Sequence, residues 1–219
     1  MKQFAARLLS LVFGLFLYAL GIVLSIRANI GYAPWDVFHV GLTQKLGFSI
    51  GTASIITGAA IVGIVIVLGE KIGLGTLCNM VLIGVFIDLI FSFNVIPLLE
   101  SLVFGILMLA MGLFVISIGS YFYIKAAFGA GPRDSLMVVL NRRTRLPIGV
   151  CRSMIELTVT VIGWVLGGMV GIGTVISVIA IGFIIQLTFA LFKFVPATVE
   201  HETLRQTYKN LTRNKTTPE

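Results

Sequence analysis

Gly129-Ala130-Gly131-Pro132-Arg133-Asp134 decides how this chain is read, because 98 residues earlier stands Gly31-Tyr32-Ala33-Pro34-Trp35-Asp36, with Gly, Pro and Asp at the same three places. At that fixed offset the match extends both ways without a gap. Gly14-Leu15-Phe16 falls on Gly112-Leu113-Phe114, and Gly21 on Gly119. Downstream, Ile50-Gly51 falls on Ile148-Gly149, Gly69 on Gly167, Gly73-Leu74-Gly75-Thr76 on Gly171-Ile172-Gly173-Thr174, and Gly84 on Gly182. From pair 14/112 to pair 93/191 there are 25 identities in 80. Apolar composition alone would align some Leu, Ile and Val. It would not align Pro, Asp and Thr with a series of glycines, so the chain reads as an internal duplication.

The 219 residues are 58% hydrophobic and 11% charged, with a mean hydropathy of +1.05. That excludes a soluble domain of this size and indicates a multi-pass membrane protein. Runs such as 81–91 and 175–185 are long and apolar but for one polar residue each, without a two-residue alternation, which suits membrane helices and not the alternating strands of a barrel. The net charge of +7 sits mostly in one loop and the C-terminal tail, as at membrane flanks, and gives no basis for nucleic-acid binding. Cys78 and Cys151 have no CxxC spacing and read as small core residues.

Six spans are expected, at about 5–26, 49–69, 73–93, 97–125, 148–168 and 172–194. Lys2 and Arg7 precede the first run as in a signal peptide, but the run is too long, lacks a small-x-small site and matches 112–126. Pro97 and Pro147 are expected at or just before helix starts. After the first and fourth spans comes a segment of a dozen residues opened by Gly-x-x-Pro-x-Asp. It is too short to cross and is expected to be an interfacial or re-entrant half-helix. The expected fold is therefore all-α membrane, with residues 1–96 as one three-span repeat and 97–194 as a second. Residues 195–219 form a polar tail carrying Lys209, Arg213 and Lys215, solvated or lying as a short helix on headgroups. With both termini inside, Lys and Arg divide 14 inside to 2 outside, the two being Arg27 and Lys45. Three spans per repeat then invert the second copy relative to the first.

In the repeated motif, Pro34 and Pro132 suit the first helical position, which places Asp36 and Asp134 in the first turn near free N–H groups. They either cap two half-helices or line a polar site between them, and both can hold at once. Trp35, His39 and Arg133 accompany them. His39 reads as an interfacial polar group or, alternatively, a proton carrier. Thr76 and Thr174 are candidate caps for the third and sixth spans. Asp88 in the third span and Glu156 in the fifth are intramembrane carboxylates, each a functional candidate. Gln186 is the counterpart of Asp88, and a polar residue at both places suggests that they face the interior. Glu156 lies one turn past Arg152, so a local ion pair is the alternative. Asn79 pairs with Ser177 in the same way. Gly58, Gly63, Gly84, Gly105, Gly112, Gly163 and Gly182 are expected to let helices approach closely. No catalytic constellation, metal-ligand cluster or phosphate loop is visible, so neither an enzyme nor a cofactor is expected.

The chain resembles the bacterial YczE/YitT-like family of integral membrane proteins, nearest the YczE branch. The resemblance rests on 31–39 (GYAPWDVFH), 73–79 (GLGTLCN), 129–136 (GAGPRDSL), 141–149 (NRRTRLPIG) and 171–175 (GIGTV). Ser135 stands where glycine would also suit the motif. The resemblance implies a bacterial plasma-membrane protein and, of activity, only transport or regulation in general terms. The function expected is an inner-membrane transporter or channel, with the lipid bilayer and an unidentified small solute as partners. A homo-oligomer stays open. The alternative is a non-transporting scaffold or regulatory partner that holds a cytoplasmic protein through its Arg-rich loop and tail.

Overall fold

The structure, a computed structural model, describes residues 2–213. It is all-α: α1 (Lys2–Arg27), α2 (Pro34–Leu46), α3 (Ile50–Val67), α4 (Leu74–Phe93), α5 (Leu102–Lys125), α6 (Pro132–Thr144), α7 (Ile148–Val165), α8 (Ile172–Leu191) and α9 (Leu204–Arg213), with a 3-10 turn at Pro196–Thr198. Six helices (α1, α3, α4, α5, α7 and α8) are long and apolar enough to cross a membrane. Their outer faces leave large apolar side chains bare, among them Leu107, Trp164 and Phe183, which only lipid contact makes favourable over so wide an area. The bounds of α6, α7 and α8 are those of α2, α3 and α4 displaced by 98 positions.

α1 and α5 form the centre and run antiparallel. The Arg7 end of α1 meets the end of α5, where its Nε donates to the Ala126 carbonyl at 3.0 Å. At the other end Asn29 Nδ2 donates to Leu99, just ahead of α5, at 3.1 Å. Glycines allow the close crossing. A Cβ at Gly14 would meet the Gly119 carbonyl oxygen at 2.8 Å, and one at Gly21 the Gly112 oxygen at 2.5 Å. Leu11, Leu15, Leu109 and Leu113 fill the core beside them. Two faces follow: a basic face holding Arg7, Lys125, Arg142 and Arg143, and an opposite face holding Arg27, Asn94 and Leu99.

The fourth span starts at Leu102, later than the expected start at Pro97. Residues 95–101 are irregular, and Ile96, just before Pro97, is held out of helical geometry by the proline. The Leu99 N–H donates to the Arg27 carbonyl at 3.0 Å, which fixes the segment across the end of α1.

The short helices α2 and α6 start where the chain turns sharply at Gly31 (φ +111°) and Gly129 (φ +119°), a region that glycine enters without a Cβ clash. Ala33 and Gly131 are then extended, and proline at the first helical position sets φ for the turn. Left-handed residues, Gly47 and Arg145, end them. α2 packs on α7, Gly41 against Gly163, whereas α6 packs on α3 through Val139 and Val65. The Gly-x-Gly-Thr turns tie the halves reciprocally. Gly75 N–H donates to the Phe128 carbonyl and Gly173 N–H to the Ile30 carbonyl, each at 2.7 Å. Thr76 and Thr174 cap their helices by reaching back to the N–H of Gly73 and Gly171.

The tail is not simply solvated. Glu202 N–H donates to Ala127, Leu204 N–H to Ile72, and the Glu202 carboxylate pairs with Arg7 at 2.7 Å. These bonds fold residues 202–207 back over the basic face, with Thr207 buried. Lys215 lies outside the described residues.

Candidate functional site

The loops before α2 and α6 cannot make helical hydrogen bonds and pair with other parts of the chain, as where the Tyr32 N–H donates to the Met169 carbonyl at 3.1 Å. The start of α6 opens on a cavity of about 380 Å³. Tyr18 of α1, Asn79 of α4, Tyr123 of α5, Asp134 of α6 and Arg152 of α7 line it, with Ile83, Ile181 and Phe189 as apolar wall. His39 of α2 closes one side and His201 of the tail stands at another. A wall of mixed character with a few convergent polar groups is the usual form of a small-molecule site.

The two half-helix starts meet beside it. The Arg133 guanidinium stacks 4.6 Å from the Trp35 ring centre. Neither aspartate bonds a free N–H of its helix, so neither acts as a hydrogen-bonding cap. Asp36 is 3% exposed, and its Oδ1 stands 3.9 Å from His39 Nδ1, too far for a hydrogen bond. Oδ1 and both ring nitrogens of His39 are buried without a partner, which is costly unless something polar completes the site. Asp134 is exposed to the cavity and carries no ion pair among the described residues. Around Gly131 converge the Tyr123 hydroxyl, Asn79 Nδ2 and Asp134 Oδ2, within 3.2–3.5 Å of where a Cβ would stand. A side chain there would fill the cradle. Partial burial pushes the His201 imidazole below its usual pKa, and Asp134 pulls it the other way.

Among the sequence candidates, the structure brings His39, Asn79, Pro132, Arg133 and Asp134 to the cavity. Trp35 touches Arg133 and Asp36 lies next to His39, behind the lining, and Pro34 is buried at the start of α2 and does not line it. Glu156 pairs with Arg152 at 2.8 Å beside it. Asp88 lies apart, on the start of α3, and its counterpart Gln186 is exposed. Gly63 and Gly182 face open space and mediate no helix contact.

Residues 5–189 match DUF6198, a family of unknown function. The chain belongs to the DUF6198 family. It is 39% identical over 177 residues to the uncharacterized membrane protein YczE of Bacillus subtilis, covering 80% of this chain and 81% of that one. An uncharacterized protein of Haemophilus influenzae is 32% identical over 186 residues, covering 85% and 84%. The uncharacterized protein YyaS of B. subtilis is 27% identical over 177 residues, covering 80% and 88%. No solved structure matches. The resemblance read from the repeated motifs thus holds, and this family member is a multi-pass membrane protein with bacterial relatives.

Sequence reasoning did not single out Tyr18, Tyr123 or His201 as site residues for this DUF6198 chain. For the two tyrosines a signal exists: each is a phenol set in an otherwise apolar span, where its hydroxyl needs a polar partner or a wet cavity. His201 had none, because its place depends on the tail folding back.

Proposed function

We propose that the protein moves a small solute across a bacterial inner membrane, through a site between two inverted three-span repeats. The observation that carries this is the cavity at the start of α6, lined by Arg133, Asp134 and His39 of α2, with buried Asp36 next to His39. Inverted-repeat transporters place their sites at broken helices on the repeat interface, and non-helical backbone at depth needs such a cavity around it. The antiparallel α1–α5 pair, the reciprocal Gly75 and Gly173 bonds and the displaced helix bounds support the inversion. The Lys and Arg distribution supports a cytoplasmic basic face, with both termini inside.

A scaffold would need no such cavity and would work through exposed Arg143 and Arg145 at the end of α6. Uptake and efflux of a metabolite panel in proteoliposomes tests the proposal, with empty liposomes as the reference. Movement of one panel member above that reference supports transport. No movement of any, with Arg143→Ala and Arg145→Ala abolishing capture of a cytoplasmic protein, supports the scaffold.

A further inference from the structure

The two halves match in sequence but not in packing. At the start of α3, Gly51 lies flat against Gly84 of α4, and a Cβ on either would land on the other's carbonyl oxygen. One turn along α4, Asp88 accepts from the Gly51 N–H at 2.8 Å and from the Ser49 hydroxyl at 2.5 Å. A carboxylate on the free N–H groups of a helix start is a favourable latch. The counterparts 98 residues on are Gly149, Gly182, Gln186 and Pro147. Nothing stands within 4 Å of a Cβ at Gly149 or Gly182. Gln186 is exposed and has no hydrogen bond among the described residues. The α3–α4 seam on the opposite face is shut, and the α7–α8 seam on the basic face is open.

The polar residues follow the seams. Asp134 is exposed to the cavity, whereas its counterpart Asp36 is buried. Asn79 lines the cavity, whereas its counterpart Ser177 is 1% exposed with an unpartnered hydroxyl. A glycine inside a helix is unfavourable unless something uses the space. A Cβ at Gly182 would meet nothing here, yet Gly182 occupies the place that Gly84 fills in the shut seam.

We propose, resting on the transport reading, that the protein is a two-gate carrier and not a channel, seen with the gate on the basic face open. In the second state the seams exchange. α7 closes on α8, Gly149 against Gly182, and the Gln186 carboxamide oxygen accepts from the Gly149 N–H. The α3–α4 seam parts, and Asp36 takes the exposed position that Asp134 now holds. Gln186 keeps the acceptor but not the charge, and a neutral hydrogen bond is weaker than a charge-assisted one. The unequal latches bias the empty protein toward the state described here.

The test uses the full chain with Cys78→Ala and Cys151→Ala; the counterpart of Cys151 is already Ala53. Pro147→Cys with Gln186→Cys, oxidised in native membranes, is expected to cross-link despite the open seam. The yield is expected to rise severalfold when Asp88→Ala removes the latch on the other seam. A yield no higher than that of Pro147→Cys with Phe183→Cys, with and without Asp88→Ala, would overturn the exchange. Spin labels at the exposed positions Val150 and Leu187 give a second measurement that leaves the latch untouched. Two distances are expected, the shorter one enriched by Asp88→Ala, and a single long distance would overturn the proposal. Two distances without flux of any solute would keep the exchange and remove the transport reading. Flux with a single distance would do the reverse.

Discussion

The guanidinium of Arg133 lies 4.6 Å from the centre of the Trp35 ring, and the two residues hold the same place, second in α6 and second in α2. The duplication has brought two copies of one position into contact, one as a cation and one as its aromatic partner. A partly sheltered pair of this kind is worth about 0.5–2 kcal/mol. A double-mutant cycle of Trp35→Ala and Arg133→Ala, read by unfolding in mixed micelles, should return a coupling in that range. Zero coupling would mean that the half-helix starts do not meet.

Asp36→Asn and Asp134→Asn keep shape and remove charge. If the aspartates only favoured the helix dipole, each change would cost about 0.3–1 kcal/mol and leave activity intact. The expected outcome is normal expression and elution with loss of solute flux in both. Wild-type flux in both would leave these positions with a helix-stabilising role alone.

Gly21 sets the distance between the central helices. Gly21→Leu should abolish monodisperse protein, because the Cβ alone meets backbone at 2.5 Å and backbone cannot step aside. Gly63→Ala, where nothing stands nearby, should be tolerated or raise the melting temperature, by about 0.5–1 kcal/mol of helix preference. Size-exclusion profiles and thermal shifts of the two variants check both halves of the statement.

Cysteines replacing Glu100 or Met169 should react with an impermeant maleimide added outside intact cells. One replacing Arg143 should react only after the membrane is opened. The reverse pattern would overturn the orientation.

Arg7 holds the folded-back tail through Glu202 and stacks on Phe128 at 4.4 Å. Both partners are partly exposed, so the ion pair contributes at most about 1 kcal/mol. Glu202→Gln should speed trypsin cleavage within residues 204–213 by no more than about fivefold, the equivalent of that figure. Unchanged cleavage would show that the backbone bonds at Ala127 and Ile72 hold the segment alone.

The spans and half-helices were legible because each is written in strong local terms. Long apolar runs mark the spans, and Gly-x-x-Pro-x-Asp marks the turn, the proline start and the short helix. Helix starts governed by tertiary contacts were not. The irregular stretch over Pro97 depends on the Arg27 carbonyl, which is remote in sequence. The cavity was legible only from its motif side: Asp134, Arg133 and His39 stood out, whereas His201 reaches it only because the tail folds back. The difference between the two seams was invisible, because Gly51/Gly84 and Gly149/Gly182 are identical as sequence. Only packing separates them.

At the crossing of α1 and α5, Gly14 meets Gly119 and Gly21 meets Gly112, so each glycine touches the copy of the other one. A peptide of half this length would therefore carry both sides of the joint itself. Two such peptides, threaded into a bilayer in opposite directions, could form the crossing with no surface that one of them lacks. Joining them end to end adds a covalent bond and frees each copy to diverge. The chain has used that freedom at Trp35 and Arg133.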